Sequence, residues 1–212
     1  MSSFMEALEE QRWDDHRYYH HNRINQSLHF ISSCSFVVMY VLFFTQPVAG
    51  VLLGWLVGMV TRQSGHFFFE PKDYDVHNQA THEYKEQVKL GYNLKRKVYL
   101  FIALGLATIW FFADPTLFGL FEMYTDRDSM INNLAKVWLA VGVGGLLYRT
   151  IHLFFLKDMQ TGVVWFVKIL TDPFNDIKLY HKAPMHLLRG EMYDPNGPHR
   201  HRNASSTKSH AA

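Results

Sequence analysis

The chain has 212 residues, a formal net charge of +2 and a single cysteine, Cys34. Near-neutral charge and dispersed lysines exclude a nucleic-acid-binding surface, and one cysteine excludes a disulfide framework and a thiolate metal cluster. Thirteen histidines are the compositional signal, so a bound metal would sit among imidazoles and carboxylates, donors that suit iron, manganese or zinc.

Mean hydropathy is −0.11, but the average hides blocks of apolar sequence. Residues 1–29 read as a polar helical lead-in without a signal peptide, with Ser3 as N-cap and Glu6 completing a capping box. Trp13, Tyr18 and Tyr19 suit a membrane interface. Phe30 to Thr61 contains no charged residue. Gln46-Pro47 divides it into two short apolar spans, which predicts a helical hairpin in a membrane. The polar stretch Arg62 to Lys97 follows, with His66, Glu70, His77, His82, Glu83 and Glu86.

Val98–Ala113 is a third apolar run and Leu134–Leu156 a fourth, separated by an interfacial segment and a polar turn. Gly142, Gly144 and Gly145 in the fourth run predict close helix approach. Met159–Leu170 reads as a short amphipathic surface helix. Residues 171–194 are polar with two X-Pro breaks, and 195–212 read as a disordered tail. The expected architecture is all-α: one membrane-embedded domain over 1–194, with about four spans in two hairpins.

Lys and Arg number three before Phe30, seven in Arg62–Lys97 and eight after Leu156. By the positive-inside rule both termini and the connector face the cytosol, in a bacterial inner membrane or an endoplasmic reticulum. All thirteen histidines then fall on that side. The sequence carries no signal for oligomeric state.

Three constellations carry candidate chemistry. His20 and His29 are nine residues apart, about 13 Å on one continuous helix, so a shared metal requires a break, which Asn22 or Asn25 can supply. His66 and Glu70 are spaced i,i+4 beside Phe67, Phe68 and Phe69, with imidazole and carboxylate on one face. His77-x4-His82 adds two further candidate metal ligands, a spacing common by chance in a histidine-rich chain. His181 and His186 repeat it around Pro184. Arg149 and His152, near the end of the fourth run, are candidate contacts for a carboxylate head group, and Asn25 is a third candidate substrate contact. Each pattern also has a bland reading as an interfacial polar segment.

The pattern His20-x-Asn22-x2-Asn25-x3-His29, followed after the apolar hairpin by Gln63-x-Gly65-His66-x3-Glu70, resembles the 2-hydroxy fatty acid dioxygenase family of membrane iron enzymes. The resemblance covers roughly residues 12–70 by motif; Arg23 departs from it, standing where the family often has proline. It implies an Fe(2+) enzyme of fatty acid α-oxidation, using O2 to remove one carbon from a 2-hydroxy fatty acid. It also implies His20, His29 and His66 as ligands, with Glu70 as a fourth ligand or an outer partner that orients an imidazole, and a lipid-like substrate arriving from the bilayer. The alternatives are a di-iron membrane hydroxylase or desaturase, a haem protein with two axial histidines, or a membrane scaffold without chemistry.

Overall fold

The computed structural model describes residues 3–70, 72–75 and 78–194, and these form helices joined by turns, with two isolated β-bridges. The tail expected from residue 195 lies outside the described residues. Helix α1 spans Phe4–Tyr19 and starts on the expected capping box, Ser3 with Glu6. Helix α2 spans Arg23–Thr45. Asn22 caps α2 by accepting from the Ile24 N–H at 2.8 Å, so the chain breaks between His20 and His29. Asn25 strengthens the corner, its Nδ2 donating to the Tyr19 carbonyl at 2.7 Å.

Pro47 opens the return arm at the first helical position, where its missing N–H costs nothing. That arm comprises α3 (Pro47–Leu53), a π turn (Gly54–Met59) and α4 (Val60–Phe68). A π turn leaves carbonyls poorly matched, and hydroxyls take them up. Ser32 Oγ donates to the Gly58 carbonyl at 2.8 Å, and Thr61 Oγ1 to the Val57 carbonyl at 2.7 Å. The arm packs antiparallel to α2 along a glycine seam. A Cβ on Gly50, Gly54, Gly58 or Gly65 would meet Leu42, Met39, Phe36 or Asn25 respectively. The close approach expected at Gly142 to Gly145 is a smaller feature: Gly142 faces Trp55 and Gly145 faces Leu100, while Gly144 faces open space.

Beyond α5 (His82–Val88), helices α6 (Leu94–Ala113) and α7 (Arg127–Leu156) pair with each other, Tyr92 Oη donating to the Gly145 carbonyl at 2.7 Å. They join the hairpin through Trp55, whose Nε1 donates to the Trp138 carbonyl at 3.0 Å, over a small core of Val51, Trp55 and Ala135. Three helices, α2, α6 and α7, are long and apolar enough to cross a membrane. The two spans expected to be short extend into their polar flanks: α2 has 23 residues, and the return arm runs from Pro47 to Phe68.

The C-terminal region differs from expectation. Helix α8 runs from Met159 to Tyr180 without stopping at Pro173. Proline in a helix interior normally costs about 3 kcal/mol, so other contacts must hold this helix. Lys168, Asp172, Asp176 and Tyr180, spaced by four residues, form one buried stripe against α1 and α2. Arg12 reaches Asp172 and Arg62 reaches Asp176, tying α8 to two other helices. Helix α9 (Ala183–Leu188) packs on α2, and the segment after it clasps the α1–α2 corner, with the Arg23 N–H donating to the Met192 carbonyl and Arg23 Nη1 3.0 Å from Asp194 Oδ2.

Candidate metal centre

Three helices and one corner bring His20, His29 and His66 together. His20 sits where α1 ends, His29 is in the second turn of α2, and His66 lies near the end of α4. All three are buried, and one ring nitrogen from each lies within 4.8 Å of the others. The rings meet edge to face, with centroids 4.2 Å apart for His20–His29, 4.8 Å for His29–His66 and 5.3 Å for His20–His66. Tyr180 adds a fourth ring, 5.7 Å from His20, and its hydroxyl lies 3.0 Å from His16 Nδ1.

Two of the three imidazoles are held by hydrogen bonds at their outer nitrogens. His20 Nδ1 faces the Asp15 carbonyl at 2.8 Å, and His66 Nδ1 faces Glu70 Oε2 at 2.7 Å. His29 Nδ1 faces Asp176 Oδ2 at 3.7 Å. This is the arrangement of metal-ligating histidines, whose second nitrogen is held by a carboxylate or carbonyl. Of the two roles expected for Glu70, the outer one matches its position.

The inner nitrogens test whether an ion fits. His20 Nε2 and His29 Nε2 are 3.2 Å apart. A hydrogen bond between them requires one to carry a proton. His20 commits its proton to the Asp15 carbonyl, so the proton would have to lie on His29 Nε2. The lone pair of His29 Nδ1 would then point at the Asp176 carboxylate. A cation between the two Nε2 atoms removes this conflict and returns the His29 proton to the Asp176 side. Two nitrogens bound to one ion at about 2.1 Å lie about 3.0–3.4 Å apart for cis or tetrahedral angles, which the observed separation matches. Burial, and then the adjacent His29 ring, hold the His20 imidazole well below its ordinary 6.5, so it is neutral and able to ligate.

The outer carboxylates have their own cations. Lys89 Nζ is 3.3 Å from both Glu70 oxygens and 3.6 Å from the centre of the Tyr19 ring. Arg62 Nη1 is 3.0 Å from Asp176 Oδ2, which also accepts from Ser33 Oγ at 3.3 Å. Lys168 bridges Asp15 and Asp172. Burial would raise the Asp15 carboxyl, but the Lys168 ammonium overrides it and holds the group below its usual range.

The other expected residues lie elsewhere. Asn25 is fully buried and secures the corner; its Oδ1 makes no hydrogen bond, and Gly65 is the close neighbour that leaves room for it. His82 begins α5 and is not among the three converging histidines, and His77 lies outside the described residues. Arg149 donates to the Leu90 carbonyl at 2.8 Å and lies 3.1 Å from His152. Both line a groove of about 600 Å³ between α6 and α7, whose lining includes none of the three histidines.

Sequence reasoning missed Asp176, Tyr180, Arg62, Lys89, Lys97 and Asp15. The stripe 168, 172, 176, 180 was legible as i,i+4 spacing, but Pro173 argued against reading it as a helix. Nothing in the local sequence marks Lys89 or Arg62, which reach the site only through the fold.

Residues 6–74 match the family model described as 2-hydroxy-palmitic acid dioxygenase Mpo1-like. No curated protein and no solved structure matches the chain. The matched stretch carries all three converging histidines, Glu70, the capping Asn22 and the corner residue Asn25. The match covers 69 of the 212 residues, and over that stretch the chain is similar to the Mpo1-like family.

Proposed function

We propose that this protein is an iron(II)-dependent membrane dioxygenase that shortens 2-hydroxy fatty acids by one carbon. The observation that carries the proposal is the convergence of three buried imidazoles whose outer nitrogens are held by a carbonyl or face a carboxylate. His20, His29 and His66 would hold the iron, a nitrogen donor set that leaves positions for substrate and O2. When bound, iron supplies O2 activation and a Lewis-acid contact for the hydroxy acid.

The chain's own residues do the rest. The Asp15 carbonyl and the Glu70 carboxylate hold the His20 and His66 rings, and the Asp176 carboxylate faces His29. Arg62 and Lys89 hold those two carboxylates in place and offset their charge. Burial of the three rings excludes bulk water, and the adjoining apolar helices bring the site to a lipid-like substrate. The positive-inside asymmetry puts this face toward the cytosol.

The three imidazole rings meet one another directly, with centroids 4.2–5.3 Å apart, which argues against the haem alternative, since a porphyrin would have to lie between two of them. A second iron would need a second group of ligands, and among the described residues one group of three converges.

The deciding experiment is elemental analysis and an absorption spectrum of detergent-purified protein, followed by assay of 2-hydroxypalmitic acid under O2. The expected result is about one iron per chain, no Soret band and a product one carbon shorter. Protein that takes up no iron after anaerobic loading would refute the proposal.

A further inference from the structure

We propose that Lys97 is the residue that holds the substrate's carboxylate beside the histidine centre. This inference rests on the fatty-acid reading of that site. Lys97 lies in the first turn of α6 and is 6% exposed, and its Nζ makes no hydrogen bond among the described residues. Phe101, one turn further along α6, packs on Phe67 beside His66 with ring centroids 6.5 Å apart, and the Lys97 ammonium acts electrostatically on His66 and His29. It therefore belongs to the surroundings of the histidine centre.

An ammonium has three donors, and burying one with none of them used is expensive. The other cations near the centre are committed. Arg62 holds Asp176, Lys89 holds Glu70, and Lys168 holds Asp15 and Asp172. The carboxylates nearest to it are partly committed. Glu70 is occupied by His66 and Lys89, and Glu86 Oε2 by the Leu94 N–H at 2.8 Å. Glu86 Oε1 has no hydrogen bond and stands 3.8 Å from Lys89. No acceptor of the described residues is bonded to Lys97 Nζ, and a 2-hydroxy acid brings a carboxylate on the carbon next to the hydroxyl that an ion would hold. Arg149, the cation that the sequence favours for this task, is engaged with Leu90 and His152 in the α6–α7 groove.

The test compares 2-hydroxypalmitic acid with hexadecane-1,2-diol, which keeps the chain length and hydroxyl but lacks the carboxylate. Equilibrium binding to the full chain in detergent is measured against micelle-only controls for wild type, Lys97→Met and Lys97→Arg, with iron content and thermal midpoint read on the same samples. Wild type is expected to prefer the acid by about tenfold or more, the worth of one charge-assisted hydrogen bond. Lys97→Met should lose that preference with diol affinity and iron content unchanged, and Lys97→Arg should recover part of it. The ligand-free midpoint of Lys97→Met should hold or rise, because an unpaired buried charge has been removed. Retained acid preference in Lys97→Met overturns the assignment, most clearly if its midpoint falls, which would mark a structural lysine. A wild type that holds iron but shows no acid preference overturns the anchor alone. A wild type without iron overturns the iron reading, while the acid-to-diol ratio still reports on Lys97.

Discussion

The two ends of α2 are built in opposite senses. In its first half Asn25, Gln26, His29, Ser32 and Ser33 are fully buried, while in its second half Val38, Val41, Phe43 and Phe44 are exposed. Helices α6 and α7 resemble the second half: both expose apolar residues along much of their length. One region is thus a polar interior closed by α1, α4 and α8, and the other is an apolar exterior with a thin core. The difference shows where each draws its stability. An apolar exterior of this kind suits a hydrocarbon surround and tolerates change. The polar interior is held by partnered charges and oriented rings, so each member left without its partner is costly.

The largest break in this contrast should come from His66→Ala. It removes one of the three proposed ligands and leaves Glu70 with Lys89 alone. Iron retention and turnover of 2-hydroxypalmitic acid should both be lost while membrane insertion persists, as read by elemental analysis and membrane fractionation. Normal iron and turnover in this variant would remove the metal site from α4.

Asp176→Asn should come next. It keeps the shape but removes the carboxylate that faces His29 and Arg62. Iron affinity should fall roughly 10- to 100-fold, the usual effect of losing an outer partner of a metal ligand, and competition with a chelator would measure it. Unchanged affinity would mean that His29 is oriented by packing alone.

The iron-free protein should also respond to pH. His20 is held neutral below its ordinary 6.5, whereas the unfolded chain takes up a proton there. The unfolded state then binds more protons below that value, so stability falls as the pH drops below 6.5, down to the folded-state value. The slope for one such group is about 1.4 kcal/mol per pH unit, so the thermal midpoint should be lower at pH 5 than at pH 7.5. A midpoint that does not move across that interval would argue against a buried neutral His20.

Gly65→Ala sharpens the comparison at the seam. Alanine favours a helix by about 0.5–1 kcal/mol, but overpacking costs about 1–3 kcal/mol. The added Cβ meets Asn25 Oδ1, on a side chain pinned to the Tyr19 carbonyl, and stands 3.4 Å from His29 Cδ2. Overpacking should win, with a net loss of about 1 kcal/mol in denaturant titration and weaker iron retention. The smallest effect should come from Val41→Ala on the exposed half of α2, within about 0.5 kcal/mol and with iron content unchanged. If Val41→Ala matched Gly65→Ala in cost, the two halves of α2 would not differ as described.

Local chemistry determined much of what the chain does. The absence of charge from Phe30 to Thr61, with Pro47 at its middle, fixed an apolar hairpin, because both arms need apolar surroundings along their length. Asn22 fixed the break that lets His20 and His29 meet, because its side chain caps a new helix better than it continues the old one. The i,i+4 spacing of His66 and Glu70 fixed their contact. Only the tertiary structure decided which groups surround those histidines. Arg62, Lys89, Lys97 and Asp176 come from four separate segments, and no periodicity within one segment encodes a meeting between segments. The tertiary structure also decided that α8 continues through Pro173. The local cost of a proline is readable from the sequence, but the buried ion pairs that offset it form only once α1, α2, α4 and α8 are packed together.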